Sequence, residues 1–139
     1  MGCGTGVLAI LASMKGAVSV DAIDIDPWCI ENTNENAQKN DCSTVNCFLG
    51  SSITLKTPSY DLIFANINRN ILLADMESYK NSLRENGLLF MSGFLLQDVE
   101  VLKEKIASLG LVFDKLVTSE DKAASPNFSG NWVLIKCKK

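Results

Sequence analysis

The sequence predicts an α/β fold, a mostly parallel sheet closed by an antiparallel pair of strands at its C-terminal end. Three observations predict it. Short apolar runs alternate with amphipathic stretches of helical length, the pattern of βαβ units on a covered parallel sheet. Three glycines in five residues, "GCGTG", run straight into the first of those stretches. The last two apolar runs have no helical stretch between them, so they pair antiparallel at an edge.

The elements follow in order. In "TGVLAILASMKG", Val7, Leu8, Ile10, Leu11 and Met14 stand close to helical spacing and Gly16 is a stop. "VSVDAID" alternates apolar and polar residues, a strand ending near Asp24. Asp26 is an N-cap with Pro27 at the first helical position, and that helix runs to about Asn40. "TVNCFL" reads as a strand, "GSSITLKTPS" as a loop and "YDLIFANI" as a strongly apolar strand. A helix across "LLADMESYKNSLRE" stops near Gly87, "LLFMSGF" is a strand, and "QDVEVLKEKIASLG" is a helix closed by Gly110. "LVFDKLVTSE" and "NWVLIKCK" are the final strands, flanking a mobile polar loop, "DKAASPNFSG".

Composition bounds the chemistry. The 139 residues form one domain, 47% hydrophobic, with no linker or repeat. A net charge of −3 provides no field for a phosphate backbone, so no direct nucleic-acid partner is expected. Histidine is absent, which excludes Ser-His-Asp and Cys-His mechanisms, and the five cysteines form no Cys-x-x-Cys pair. No metal site is expected from this donor set. The cysteines read as buried, reduced thiols. Without a signal peptide or an apolar run near ~18 residues, the expectation is a cytoplasmic chain with no membrane partner.

Three places carry candidate chemistry. Gly2, Gly4 and Gly6 offer bare main chain beside a helix N-terminus, suited to a carboxylate or a phosphate. The G-x-G-x-G spacing is neither the dinucleotide fingerprint nor a Walker loop. Asp24 ends the next strand, where a carboxylate accepts bonds from both ribose hydroxyls of a nucleoside. Asn66 ends the apolar strand "YDLIFANI", where open α/β sheets bind ligands, and its neutral amide both donates and accepts.

Together these features resemble the class I S-adenosylmethionine-dependent methyltransferases, a Rossmann-like seven-stranded sheet ending in an antiparallel hairpin. "MGCGTGVLAI", "AIDIDP", "ENAQKN", "DLIFANI", "LLFMSGFLLQ" and "GNW" (Gly130, Asn131, Trp132) look most like the lysine methyltransferases of large-subunit ribosomal protein eleven. The resemblance implies S-adenosylmethionine as cofactor, held by Gly2, Gly4, Gly6, Asp24 and Asn66. Asn66 would also position the accepting amine. Residues around Gly50 and Ser51 would lie near the adenine, whose contact stays unassigned. The substrate would be amino groups, lysine side chains or the N-terminal amine, of that ribosomal protein. It would be recognised by an amino-terminal domain absent from this chain.

The first strand of such a sheet, which delivers the glycine loop, has no place ahead of Gly2. Residues 1–139 therefore read as an N-terminally truncated methyltransferase domain whose missing middle strand leaves two neighbours with unpaired edges. Three other readings stay open: a degenerate domain without activity, a methyltransferase acting on RNA or a small molecule, and a nicotinamide-dependent oxidoreductase. The glycine spacing and "ANI" speak against the last.

Overall fold

The structure, a computed structural model, describes residues 1–118 and 132–139. The chain forms two compact units, Met1–Thr54 and Leu55–Lys139.

In the first unit, α1 (Val7–Met14) starts at Gly6, which takes φ 84, and the turn after it closes at Gly16. This helix buries no residue fully, and Val7, Leu11 and Met14 are exposed along it. Strand β1 (Val20–Asp24) pairs in parallel with β2 (Val45–Leu49), in a register running from Val20↔Val45 to Asp24↔Leu49. Between them lies α2 (Pro27–Lys39), whose start is the predicted one: Asp26 accepts from the Trp28 main-chain N–H at 2.9 Å, and Pro27 needs no partner. Thr33 and Ala37, one turn apart, are its buried residues.

In the second unit, β3 (Tyr60–Asn66) buries Ile63 and Ala65, alternate positions of one strand face. Helix α3 (Arg69–Ser82) is capped by the Asn68 carboxamide, which accepts from the Ile71 N–H at 3.2 Å, and buries Leu72, Met76 and Tyr79. Strand β4 (Leu83–Leu95) pairs in parallel with β3, α4 (Val99–Ser108) buries Val99, Leu102 and Ile106, and Gly110 ends it at φ 71. Strand β5 (Val112–Thr118) pairs antiparallel with β6 (Trp132–Lys138), which also pairs antiparallel with β4, giving the order β3-β4-β6-β5. The antiparallel C-terminal pair is therefore present, with β5 at the edge.

One boundary differs from expectation. The helix predicted to reach Gly87 ends at Ser82, and "LREN" joins the strand. Leu83 turns to φ −73, ψ 142, becomes fully buried and pairs with Tyr60, while the Arg84 guanidinium grips both Asp61 oxygens at 2.8 and 2.9 Å. Burying Leu83 in register outweighs a helix propensity worth only a few tenths of a kcal/mol per residue, of order ~0.5. The loop predicted over 121–130 falls outside the described residues, as do Gly130 and Asn131.

Among the described residues, the strands fall into two hydrogen-bonded sheets, β1-β2 and β3-β4-β6-β5, in which β1 and β3 each pair along one side. The chain's first regular element is α1. Among the described residues, no helix is long and apolar enough to cross a membrane.

Candidate functional site

In the first unit the structure brings the glycine loop onto the end of β1. Gly2, Gly4 and Gly6 all have positive φ, at 63, 55 and 84. The Gly4 N–H donates to Asp24 Oδ2 at 2.9 Å, and the Asp26 N–H donates to Asp24 Oδ1 at 3.1 Å. Each carboxylate oxygen so receives one main-chain bond and keeps capacity for another. The Cys3 N–H donates to the Ile23 carbonyl at 3.1 Å, extending β1 toward the loop, and the Gly50 N–H donates to the Asp24 carbonyl at 2.8 Å. A Cβ on Gly50 would run into the Thr54 side chain.

Two residues that sequence reasoning passed over hold the loop from α2. Buried Thr33 donates its hydroxyl to the Gly4 carbonyl at 3.0 Å and lies 3.3 Å from Cys3 Sγ. The Asn36 carboxamide donates to the Thr5 carbonyl at 2.9 Å. A signal was available: within "ENTNENAQKN", Thr33 and Ala37 are the small residues one helical turn apart. A Cβ on Gly6 would lie 2.8 Å from the Thr33 methyl, whereas a Cβ on Gly4 would meet nothing within 4 Å. Gly6 is thus packed against α2, while Gly4 borders open space.

Burial pushes the Cys3 and Cys47 thiols up, and the Asp24 charge adds to the rise at Cys3, against the hydrogen bond from Thr33. Both are neutral thiols at pH 7, poor nucleophiles and poor metal ligands.

In the second unit, Asn66 sits exposed at the carboxyl end of β3. Its main chain is in register with Ser92, and the following Ile67 N–H donates to the Ser92 carbonyl at 3.0 Å. Its carboxamide makes no hydrogen bond among the described residues and is available to a ligand. Just beyond it, the Arg69 guanidinium donates to Asp98 Oδ1 at 2.9 Å, and Asp98 Oδ2 accepts from the Leu95 N–H at 3.1 Å. This largely buried carboxylate ties the start of α3 to the turn after β4.

The family described as ribosomal protein L11 methyltransferase (PrmA) matches residues 1–126. A ribosomal protein L11 methyltransferase of Porphyromonas gingivalis is 50% identical over 125 residues, covering 89% of this chain and 43% of that protein. The crystal structure of a ribosomal protein L11 methylase from Lactobacillus delbrueckii subsp. bulgaricus superposes with a TM-score of 0.85 at 27% identity, over 98% of this chain and 66% of that one. The fold is shared more widely: M. jannaschii TYW2, solved in complex with AdoMet, matches with a TM-score of 0.72 at 16% identity, over 99% of this chain and 65% of its own. This chain spans less than half the length of its P. gingivalis relative. It belongs to the ribosomal protein L11 methyltransferase family.

Proposed function

We propose that this chain carries the S-adenosylmethionine site of an enzyme that methylates amino groups, lysine side chains or the N-terminal amine, of ribosomal protein L11. The observation that carries the reading is the bond from Gly4 to Asp24, in a chain that belongs to a family named for methylation of ribosomal protein L11. It joins a bare main-chain surface to a strand-end carboxylate. The residues fit the cofactor. Open space borders Gly4, α1 presents its first N–H groups with no acidic residue in its first turn, and Asp24 can still accept bonds. A helix N-terminus of this kind favours a carboxylate such as that of the methionine portion. Asp24 then takes the ribose hydroxyls, and Gly2, Gly4 and Gly6 lie along the methionine portion.

The sulfonium supplies a methyl group already activated as an electrophile, so the protein's task is alignment. Asn66 is assigned to position the amine, accepting from it without offering a charge that would hold it as an ammonium. A lysine amine, with a reference pKa of about 10.4, must lose its proton before attack, and desolvation assists that loss. The chain has no histidine, and no general base is assigned. Selection of L11 is assigned to an amino-terminal domain, in keeping with the 43% coverage of the P. gingivalis protein.

The test uses the full-length protein, purified L11 and labelled S-adenosylmethionine, with mass spectrometry locating the added methyls. Methylated amines on L11, and loss of cofactor binding in Asp24→Ala, are the expected results. Absence of cofactor binding by the full-length protein, or transfer to RNA in place of L11, would overturn the reading.

A further inference from the structure

Gly93 sits in a bulge of β4, where the pairing with β6 shifts register between Ser92 and Phe94. Its φ is +92, and a Cβ built there would lie 2.7 Å from the Ile67 nitrogen, 2.8 Å from the Ile67 oxygen and 2.8 Å from Asn66 Oδ1. The first two contacts are main chain, pinned by the bond from the Ile67 N–H to the Ser92 carbonyl at 3.0 Å. The third is the carboxamide itself. The Asn66 side chain therefore lies in the space that any larger residue at 93 would fill. Its carboxamide has no hydrogen bond among the described residues to orient it, and it rests against the bare main chain of β4.

We infer that Gly93 is a positioning residue, seating the Asn66 carboxamide so that it faces the accepting amine in one orientation. The inference rests on the role proposed above for Asn66. Positive φ is not by itself the reason for a glycine here. Gly16 has nearly the same φ, +94, yet a Cβ there would meet nothing within 4 Å. Gly16→Ala thus carries the same backbone strain without the contact, and isolates what the contact does.

The experiment compares Gly93→Ala, Gly16→Ala, Asn66→Ala and the Asn66→Ala/Gly93→Ala pair in the full-length protein. It follows kcat, KM, Tm and the side-chain amide NMR signals of Asn66, assigned by their loss in Asn66→Ala. Gly93→Ala is expected to move those signals and to lower kcat by on the order of 10-fold or more, because small misplacements of a positioning group are costly. Cofactor KM should change little. Gly16→Ala should lower Tm alone, and Gly93→Ala should lower kcat no further once Asn66 is alanine. Unmoved Asn66 signals, or an equal loss of kcat with and without the Asn66 carboxamide, would overturn the inference. If Gly93→Ala does not fold, the wild-type protein decides. A nuclear Overhauser contact between the Gly93 α-protons and the Asn66 carboxamide supports the seat, and its absence overturns it. A wild-type rate in Asn66→Ala while Gly93→Ala still moves the signals would overturn the Asn66 role, and the catalytic meaning of Gly93 with it.

Discussion

Gly4 donates its main-chain N–H to Asp24 Oδ2 at 2.9 Å across 20 residues of sequence. The end of β1 and the glycine loop are thereby one hydrogen-bonded piece, with the Asp26 N–H on the other carboxylate oxygen. Asp24→Asn turns one acceptor into a donor and removes the charge. A hydrogen bond to a charged group is worth about 1.5–3 kcal/mol, so cofactor affinity should fall by roughly 10- to 100-fold. Calorimetry on the full-length protein reads this directly. An unchanged Kd would remove Asp24 from the cofactor.

Gly4 and Gly6 share positive φ but not surroundings, and their alanine variants should separate accordingly. Gly6→Ala drives a methyl to 2.8 Å from Thr33 in the buried contact between loop and α2, costing stability by about 1–3 kcal/mol. Gly4→Ala places its methyl in open space, so it should cost only about 1 kcal/mol of backbone strain yet weaken cofactor binding. Denaturant melts paired with calorimetry distinguish the two. Equal losses of stability would contradict the assignment of open space to the ligand.

The sequence carries the fold mainly through local signals that tertiary contacts leave alone. Asp26-Pro27 starts α2 as its chemistry demands, and Gly110 ends α4 in the left-handed region. Gly4 and Asp24 were legible as well, because a glycine loop and a strand-end acid are separated by a known interval. Thr33 and Asn36 were less so: the spacing of Thr33 and Ala37 marks a packed face but not the loop it packs against. On a helix rich in asparagine and glutamate, a hydroxyl aimed at a loop carbonyl looks like any solvated residue until α2 is docked. The early end of α3 was hidden for the converse reason. "SLRE" favours a helix locally, and only the pairing of Leu83 with Tyr60 reveals the strand. Gly93 read as a residue of the strand "LLFMSGF", and its closeness to Asn66 exists only once β3 and β4 are in register.

The Arg69–Asp98 pair should be unequal under truncation. Asp98 accepts from both Arg69 and the Leu95 N–H, and its side chain is only 12% exposed, against 45% for Arg69. Asp98→Ala removes both bonds and leaves the Leu95 donor without its acceptor, for a loss of about 1–3 kcal/mol. Arg69→Ala keeps the Leu95 bond, and loss of the half-exposed guanidinium opens the other carboxylate oxygen to water, so its cost should be the smaller of the two. Urea melts of the two variants provide the comparison, and a larger loss in Arg69→Ala would reverse the account.

Alkaline pH should destabilise the protein through Cys137. Burial pushes its thiol from an ordinary value of 9.0 up to about 12, and burial followed by the Asp75 charge raises the Tyr79 hydroxyl as well. For an acid whose folded pKa is raised, the unfolded chain loses its proton first, so the unfolded state binds fewer protons and stability falls as pH rises. The contribution is complete below pH 9 and disappears on the way to about 12. In that window each such group costs up to about 1.4 kcal/mol per pH unit. Cys137→Ala should lower stability at pH 7 by leaving a small cavity, yet remove its share of the decline that begins at pH 9, where the raised Cys3 and Cys47 thiols also contribute and before Tyr79 passes its ordinary value of 10.0. Urea melts at half-unit steps from pH 8 upward measure both slopes. Parallel curves for wild type and Cys137→Ala would place the alkaline loss elsewhere in the chain.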